Sequence, residues 1–171
     1  MARSYQLDPI ADVAFFDSAP ITHVIDVKLP VTPARAWAEF TRQNTLDWCR
    51  AIKSIQFTSP PPYGVNTSRG ASLGVVNLAE HFFVWDEDTA TGNYRNAFYA
   101  TSASVPGLKR FGEMTEIRPA VVGCRLIWKF ALELQTSAKA VTSFSKPTAA
   151  QAFKTVETDT LRHFAKLPTQ S

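Results

Sequence analysis

An α+β fold, with an antiparallel sheet laid against one long C-terminal helix, is what the sequence predicts. Three observations predict it. First, Phe153, Val156, Thr160, Phe164 and Leu167 recur at three- and four-residue spacing, one apolar stripe on a helix over 147–167. Second, residues 21–29 and 125–134 alternate apolar and polar, the period of a half-buried strand. Third, the chain between them breaks into short runs of the same kind, separated by Pro- and Gly-containing turns.

Residues 1–20 read as an N-terminal extension. Its Ile10, Val13, Phe15 and Phe16 pack either on the domain or on a second copy, the latter giving a homodimer. Residues 21–29 present Ile21, His23, Ile25, Val27 and Leu29 to one side, and Pro30 ends the strand. Thr32 then caps a short helix with Pro33 at its first position, and Trp37 and Phe40 form the inner face. A second short helix is expected over 44–50, so that the two make a V-shaped cradle.

Strands follow over 52–58, 71–78, 80–85, 94–101, 109–118 and 125–134. Gly74 weakens the second of these, and 59–64, with three consecutive prolines, is a turn. A polar loop, 135–145, leads to the terminal helix. Pro147 suits that helix's first turn, with Ser145 as the cap. The helix is about 20 residues long, roughly 30 Å, and carries Lys154, Glu157, Thr158, Arg162 and Lys166 on the face away from the stripe. The domain thus spans 21–167, with 168–171 a tail.

Composition narrows the function. The chain has 171 residues, enough for one domain with a proper core, and 45% of them are apolar. Eighteen basic against 15 acidic residues give a net charge of only +3, with no basic run interleaved with aromatics, which argues against nucleic acid. No segment is long and apolar enough to span a bilayer. Asp8, Pro9 and Asp12 interrupt any signal-peptide core, so the cytoplasm is the expected compartment. Cys49 and Cys124 read as free thiols, and His23, His81 and His163 are not at metal-ligand spacing with them, so neither a metal nor a cofactor is expected.

Several motifs, in order, carry a resemblance: Pro33-Ala34-Arg35-Ala36-Trp37, the stretch Glu80-His81-Phe82-Phe83-Val84-Trp85-Asp86, the turn and strand Pro106-Gly107-Leu108-Lys109-Arg110-Phe111, and Arg125-Leu126-Ile127-Trp128. Over 21–167 the chain resembles the SRPBCC superfamily, which includes the birch pollen allergen, START domains and bacterial polyketide cyclases. The stretch from Glu80 to Asp86 looks like the ERVTEWD pattern of the cyclase-like branch. The resemblance implies a helix-grip fold: a seven-stranded antiparallel sheet wrapped round the C-terminal helix, with two short helices after the first strand and an internal cavity. It implies no single activity, because this fold hosts cyclases, dehydratases, carriers, hormone receptors and chaperone cofactors.

Alternation supplies the cavity lining. The last strand turns Leu126, Trp128 and Phe130 inward, and the one before it Phe111, Glu113, Thr115 and Ile117. The 94–101 strand offers Asn96, Phe98 and Ala100. The 80–85 strand offers Glu80, Phe82 and Val84, or His81, Phe83 and Trp85; the resemblance favours the first set. Phe153 and Val156 come from the helix. The pocket is apolar and aromatic with few polar groups, which suits a hydrophobic small molecule.

Glu80 and Glu113 are the catalytic candidates. Burial raises a carboxyl pKa and equips it for proton abstraction beside a carbonyl, as cyclisation or dehydration requires. The alternative places Glu80 in an ion pair with Arg69 or Arg95, or at the sheet rim. His23 is a ligand-orienting or a core histidine, and Asn96 polarises a carbonyl or bonds a buried backbone group. Val141 and Phe144, in the loop before the helix, form a gate or pack on the sheet. A non-catalytic carrier or sensor would have the same cavity.

Overall fold

The computed structural model describes residues 3–136 and 146–168. The expected gate residues Val141 and Phe144, and the expected cap Ser145, lie outside them. The elements are β1 (Tyr5–Gln6), α1 (Phe15–Ser18), β2 (Ile21–Leu29), α2 (Pro33–Thr41), β3 (Ser54–Phe57), β4 (Ser68–Leu73), β5 (Val76–Asp88), β6 (Asn93–Ala103), β7 (Leu108–Pro119), β8 (Cys124–Leu134) and α3 (Lys146–Lys166). The strands form one antiparallel sheet in the order β2-β8-β7-β6-β5-β4-β3, and β1 adds to the end of β6. Its concave face holds the core and receives α3.

Local chemistry explains most boundaries. Thr32 Oγ1 accepts the Arg35 amide at 3.2 Å, and Pro33 opens α2. The helix buries Ala36, Trp37 and Phe40. On α3, Val156, Thr160 and Phe164 are buried, with Phe153 and Leu167 half-buried at the ends of the stripe. Phe164 stacks on Phe40 at 6.0 Å and meets the edge of Trp48 at 5.7 Å. Full burial of such a ring contributes about 2–3 kcal/mol.

The second short helix does not form. Asn44 and Leu46 take φ of 58° and 61°, in the left-handed region that a helix excludes. Arg42 organises the turns that replace it: its guanidinium donates to the Asn44 carbonyl at 3.2 Å and to Asp47 Oδ1 at 2.6 Å. These turns hold α3. Asp159, 3% exposed, accepts the Arg50 amide at 2.9 Å and Arg50 Nε at 3.0 Å. Thr160 Oγ1 accepts the Trp48 indole N–H at 3.2 Å. Burial would raise the Asp159 pKa, but its bonds and charges from Arg50 and Arg162 hold it below the ordinary value.

Residues 52, 53 and 58 fall outside β3, and the strand expected over 71–78 is a hairpin. Gly74, at φ 78°, begins the turn between β4 and β5 instead of weakening a strand.

The N-terminal segment packs on its own sheet. Leu7 and Asp8 donate backbone bonds to Thr101 and Lys109 at 3.0 and 2.8 Å. Ile10 and Phe16 are 2% and 1% exposed, and Phe16 sits on Ala97, Met114 and Ala131 of the convex face. Gly112 makes this possible: a Cβ there would lie 2.7 Å from Ile10 Cδ1 and 2.6 Å from the Phe98 carbonyl.

Candidate functional site

The concave face carries one row of side chains at a common level across five strands. His23 is paired in register with Phe130, Phe130 with Glu113, Glu113 with Phe98, and Phe98 with Phe82. The next row runs Ile25, Trp128, Thr115, Asn96 and Trp85. Glu113, Phe111, His23 and Phe153 are half-buried, whereas Phe82, Phe98, Trp128 and Phe130 around them are buried.

Most candidates from the sequence meet here. Phe82, Phe98, Phe111, Trp128, Phe130, Glu80, Glu113 and Asn96 all lie on the inner side of the sheet, and Val156 is buried on the inner face of α3. Phe153 reaches from α3 to Phe130, with ring centroids 4.7 Å apart. The two alternatives for the 80–85 strand both need correction. A β-bulge between Phe82 and Val84 shifts the register. Glu80 and Phe82 face in, as the first set required, but Val84 turns outward to join Phe83 against the N-terminal segment. Trp85 faces in, 5.0 Å from Phe82.

Glu80 is 3% exposed and engages Arg69, its register partner on β4, with Nε to Oε2 at 2.5 Å. The Arg69 guanidinium lies over Phe98, Phe82 and Phe57, at 4.4, 5.0 and 5.8 Å from their ring centroids. Burial pushes the Glu80 carboxyl up, opposed by the Arg69 charge and its hydrogen bond. Glu113 accepts the Trp128 indole N–H at 2.9 Å. Burial first, and then the negative charge of Glu80, push Glu113 up to about 8, against the pull of Arg69 and Trp128. One guanidinium and two carboxyls thus share an apolar site. The proton falls to Glu113, because Arg69 stands against Glu80. At neutral pH Glu113 is a carboxylic acid able to donate a hydrogen bond or a proton.

His23 stacks on Phe153 with centroids 4.2 Å apart and rings 7° from parallel. Its Nε2 is buried and has no hydrogen-bond partner among the described residues. Burial lowers its pKa, only partly opposed by Glu157, so the ring is neutral at pH 7. Arg69 is the residue whose role sequence reasoning underrated. It entered only as one possible partner of Glu80, and the cage of Phe57, Phe82 and Phe98 around it depends on three separate strands. The thiols of Cys49 and Cys124 are buried and pushed up to about 12 and about 11 by desolvation, which makes them poor nucleophiles.

A cleft of about 310 Å³ lies elsewhere, lined by Asp86, Asp88, Asn93, Tyr94, Arg95, Glu116 and Arg118. Its lining side chains are polar or charged; the pairs Arg95–Asp86 and Arg118–Glu116 satisfy two of its three carboxylates, and Asp88 accepts from the Thr91 hydroxyl. No helix among the described residues is long and apolar enough to cross a membrane.

No family model matches the chain. Uncharacterised proteins of Mycobacterium tuberculosis and Mycobacterium bovis are 28% identical over 130 residues, 74% of this chain and 74% of theirs. Among solved structures, a START superfamily protein from Mycobacterium smegmatis superposes with a TM-score of 0.65 at 8% identity, covering 86% of this chain and 99% of that one. Major latex-like protein 151 of Panax ginseng gives 0.59 at 9% identity, covering 86% and 98%. Ara h 8.0201 gives 0.50 at 17%, covering 83% and 98%. The chain shares the helix-grip fold of these solved structures. In helix-grip terms, the concave row from His23 to Phe82 is the inner wall facing the gripped helix, and the N-terminal segment lies outside the grip.

Proposed function

We propose that the protein binds a hydrophobic, aromatic or polyketide-like small molecule between the concave face and α3, with Glu113 as its polar contact. The observation that carries this reading is Glu113 itself: a half-buried carboxyl, pushed up to about 8, set among Phe98, Phe130 and Trp128. A neutral acid in such surroundings selects a molecule that is apolar over most of its area and carries a carbonyl oxygen. One hydrogen bond of this kind is worth about 0.5–1.5 kcal/mol net; burial of the rings supplies the rest of the affinity. The cytoplasm, read from the N-terminal sequence, is the proposed location.

Native mass spectrometry of the protein purified from its own host tests the reading. A co-purifying hydrophobic molecule that is lost on denaturation supports it, and its mass names the class to assay. Protein that is consistently empty, and that gains no ligand from a host lipid and aromatic extract, counts against it.

Catalysis is the second reading, favoured by the proximity of the Glu113 pKa to neutrality. Glu113 would lend its proton to a carbonyl oxygen during cyclisation or dehydration. Glu80, the other carboxyl of the set, would take the neighbouring carbon-bound proton. The Arg69 ion pair weakens Glu80 as a base, so carriage needs fewer assumptions. A Glu113→Gln variant that still binds ligand but no longer converts it decides for catalysis. A native protein that returns its ligand unchanged decides for carriage.

A further inference from the structure

We infer that β1 and the two residues after it, 5–8 in all, form a displaceable strap that closes a side entrance to the interior, through the sheet wall between β6 and β7. This rests on the binding reading above and adds the route by which that site is filled.

The register contains a split. β6 and β7 pair from Tyr94 and Ile117 up to Tyr99 and Gly112, and there their pairing ends. Beyond that point β6 runs on to Ala103 beside β5, and the first residues of β7 pair only with β8. The N-terminal segment fills the split. Tyr5 and Gln6 pair with Ala103 and Ser102 of β6, and Leu7 donates to the Thr101 carbonyl at 3.0 Å. Asp8 then crosses to β7, donating to the Lys109 carbonyl at 2.8 Å. A segment seated between two strands holds them two strand spacings apart, roughly 10 Å. Without it a slot of that width is left, which backbone hydrogen bonds cannot bridge.

The split opens on the proposed site. Its last closed rung, Tyr99–Gly112, adjoins the Phe98–Glu113 pair. Leu7 is 8% exposed and belongs to the same apolar cluster as Leu108, Trp128 and Phe130. Along the split β6 contributes only Ala100 and Ala103 to that cluster, so little side-chain bulk narrows the slot. The strap is also lightly held. Of residues 3–9 only Leu7 is buried, and a short exposed segment opens at a fraction of the cost of unfolding the whole domain. Ile10 and Phe16, 2% and 1% exposed, anchor the chain just beyond, so the strap swings from a fixed point.

The test locks the strap. Gln6 and Ser102 are register partners on the outer side, and the adjacent Leu7–Thr101 pair carries the backbone bond, which leaves them the close-approaching pair that a cross-strand disulfide suits. The Gln6→Cys, Ser102→Cys variant is compared, oxidised and reduced, with the native protein, whose own two thiols are buried. Stopped-flow fluorescence follows uptake of N-phenyl-1-naphthylamine, an apolar dye that brightens on leaving water. Hydrogen exchange follows the Leu7 and Asp8 amides in parallel. Oxidation is expected to slow uptake and release alike by ~10-fold or more, to leave the equilibrium affinity unchanged and to slow exchange at the two amides; reduction restores all of these. Should the disulfide not form, Leu7→Ala loosens the strap instead and is expected to speed uptake ~10-fold. Uptake rates that neither locking nor loosening changes overturn the strap as an entrance but leave the binding site standing. So does an oxidised form that loses affinity without slower uptake. Dye that no form of the protein takes up, locked or loosened, overturns the binding reading as well.

Discussion

Replacing Arg69 with methionine should be among the most damaging single changes in this protein. Methionine keeps the length and apolar stem of the side chain, so the packing on Phe57, Phe82 and Phe98 is largely preserved. What is lost is the cation. Glu80, 3% exposed, then has nothing to balance its charge, and it still faces Glu113. Removing one partner of a buried pair costs about 3–5 kcal/mol. For a chain of this size each kcal/mol moves Tm by about 2–4 °C, so a fall of roughly 6–20 °C is expected. The sign of the pH dependence follows. Arg69 is what lowers the Glu80 pKa; without it the folded value rises further above the ordinary 4.5. A carboxyl with a raised folded pKa supports stability at low pH and loses it as pH rises. The Arg69→Met deficit should therefore be small near pH 4.5 and grow towards pH 8. The double variant Arg69→Met, Glu80→Leu should recover most of the loss. Calorimetric scans of the native protein, both variants and Glu80→Leu complete the cycle. The reasoning is refuted if Arg69→Met costs less than about 1 kcal/mol, or if the double variant is no more stable than the single one.

Three other outcomes are expected. Because Glu113 is raised from 4.5 to about 8, its contribution to native stability should decline between those pH values by up to about 1.4 kcal/mol per unit; urea titrations should show that slope flattened in Glu113→Gln. Gly112→Ala should cost about 1–3 kcal/mol by overpacking and speed amide exchange in residues 7–18, because the new methyl meets Ile10 and the Phe98 carbonyl; unchanged exchange there would contradict the role given to Gly112. Asp159→Ala should cost about 1–3 kcal/mol and raise exchange in α3, since it strands the Arg50 amide; a urea midpoint equal to the native one would show that the turns do not hold the helix.

The long helix and the strands β2, β6, β7 and β8 were legible because their periods are clean and each has one buried face. The 44–50 turns were not. Leu46 gives no local sign of a left-handed backbone, and the Arg42 bonds that stabilise it are visible only once the chain has turned. Gly74 was noticed but misread, since a glycine inside a strand and one at a hairpin look alike in sequence. The site was legible as a list of inward residues and as a possible Arg69–Glu80 pair. Its organisation was not, because the bulge at Phe83 reverses the alternation of β5 and brings in Trp85. The row linking His23, Phe130 and Glu113 depends on register between strands distant in sequence, which alternation alone leaves open.

The N-terminal segment packed on the convex face has a consequence for synthesis. Phe15 and Phe16 are made early, but Met114 and Ala131, on which Phe16 rests, are about a hundred residues further along the chain. At ordinary translation rates the two phenylalanines wait roughly 5–20 s before their docking surface exists. During that interval they are free to be captured by chaperones or by neighbouring nascent chains. This segment, translated well before the strands it rests on, is thus among the last to reach its native contacts, and changes there act on folding yield before they act on anything the finished fold does.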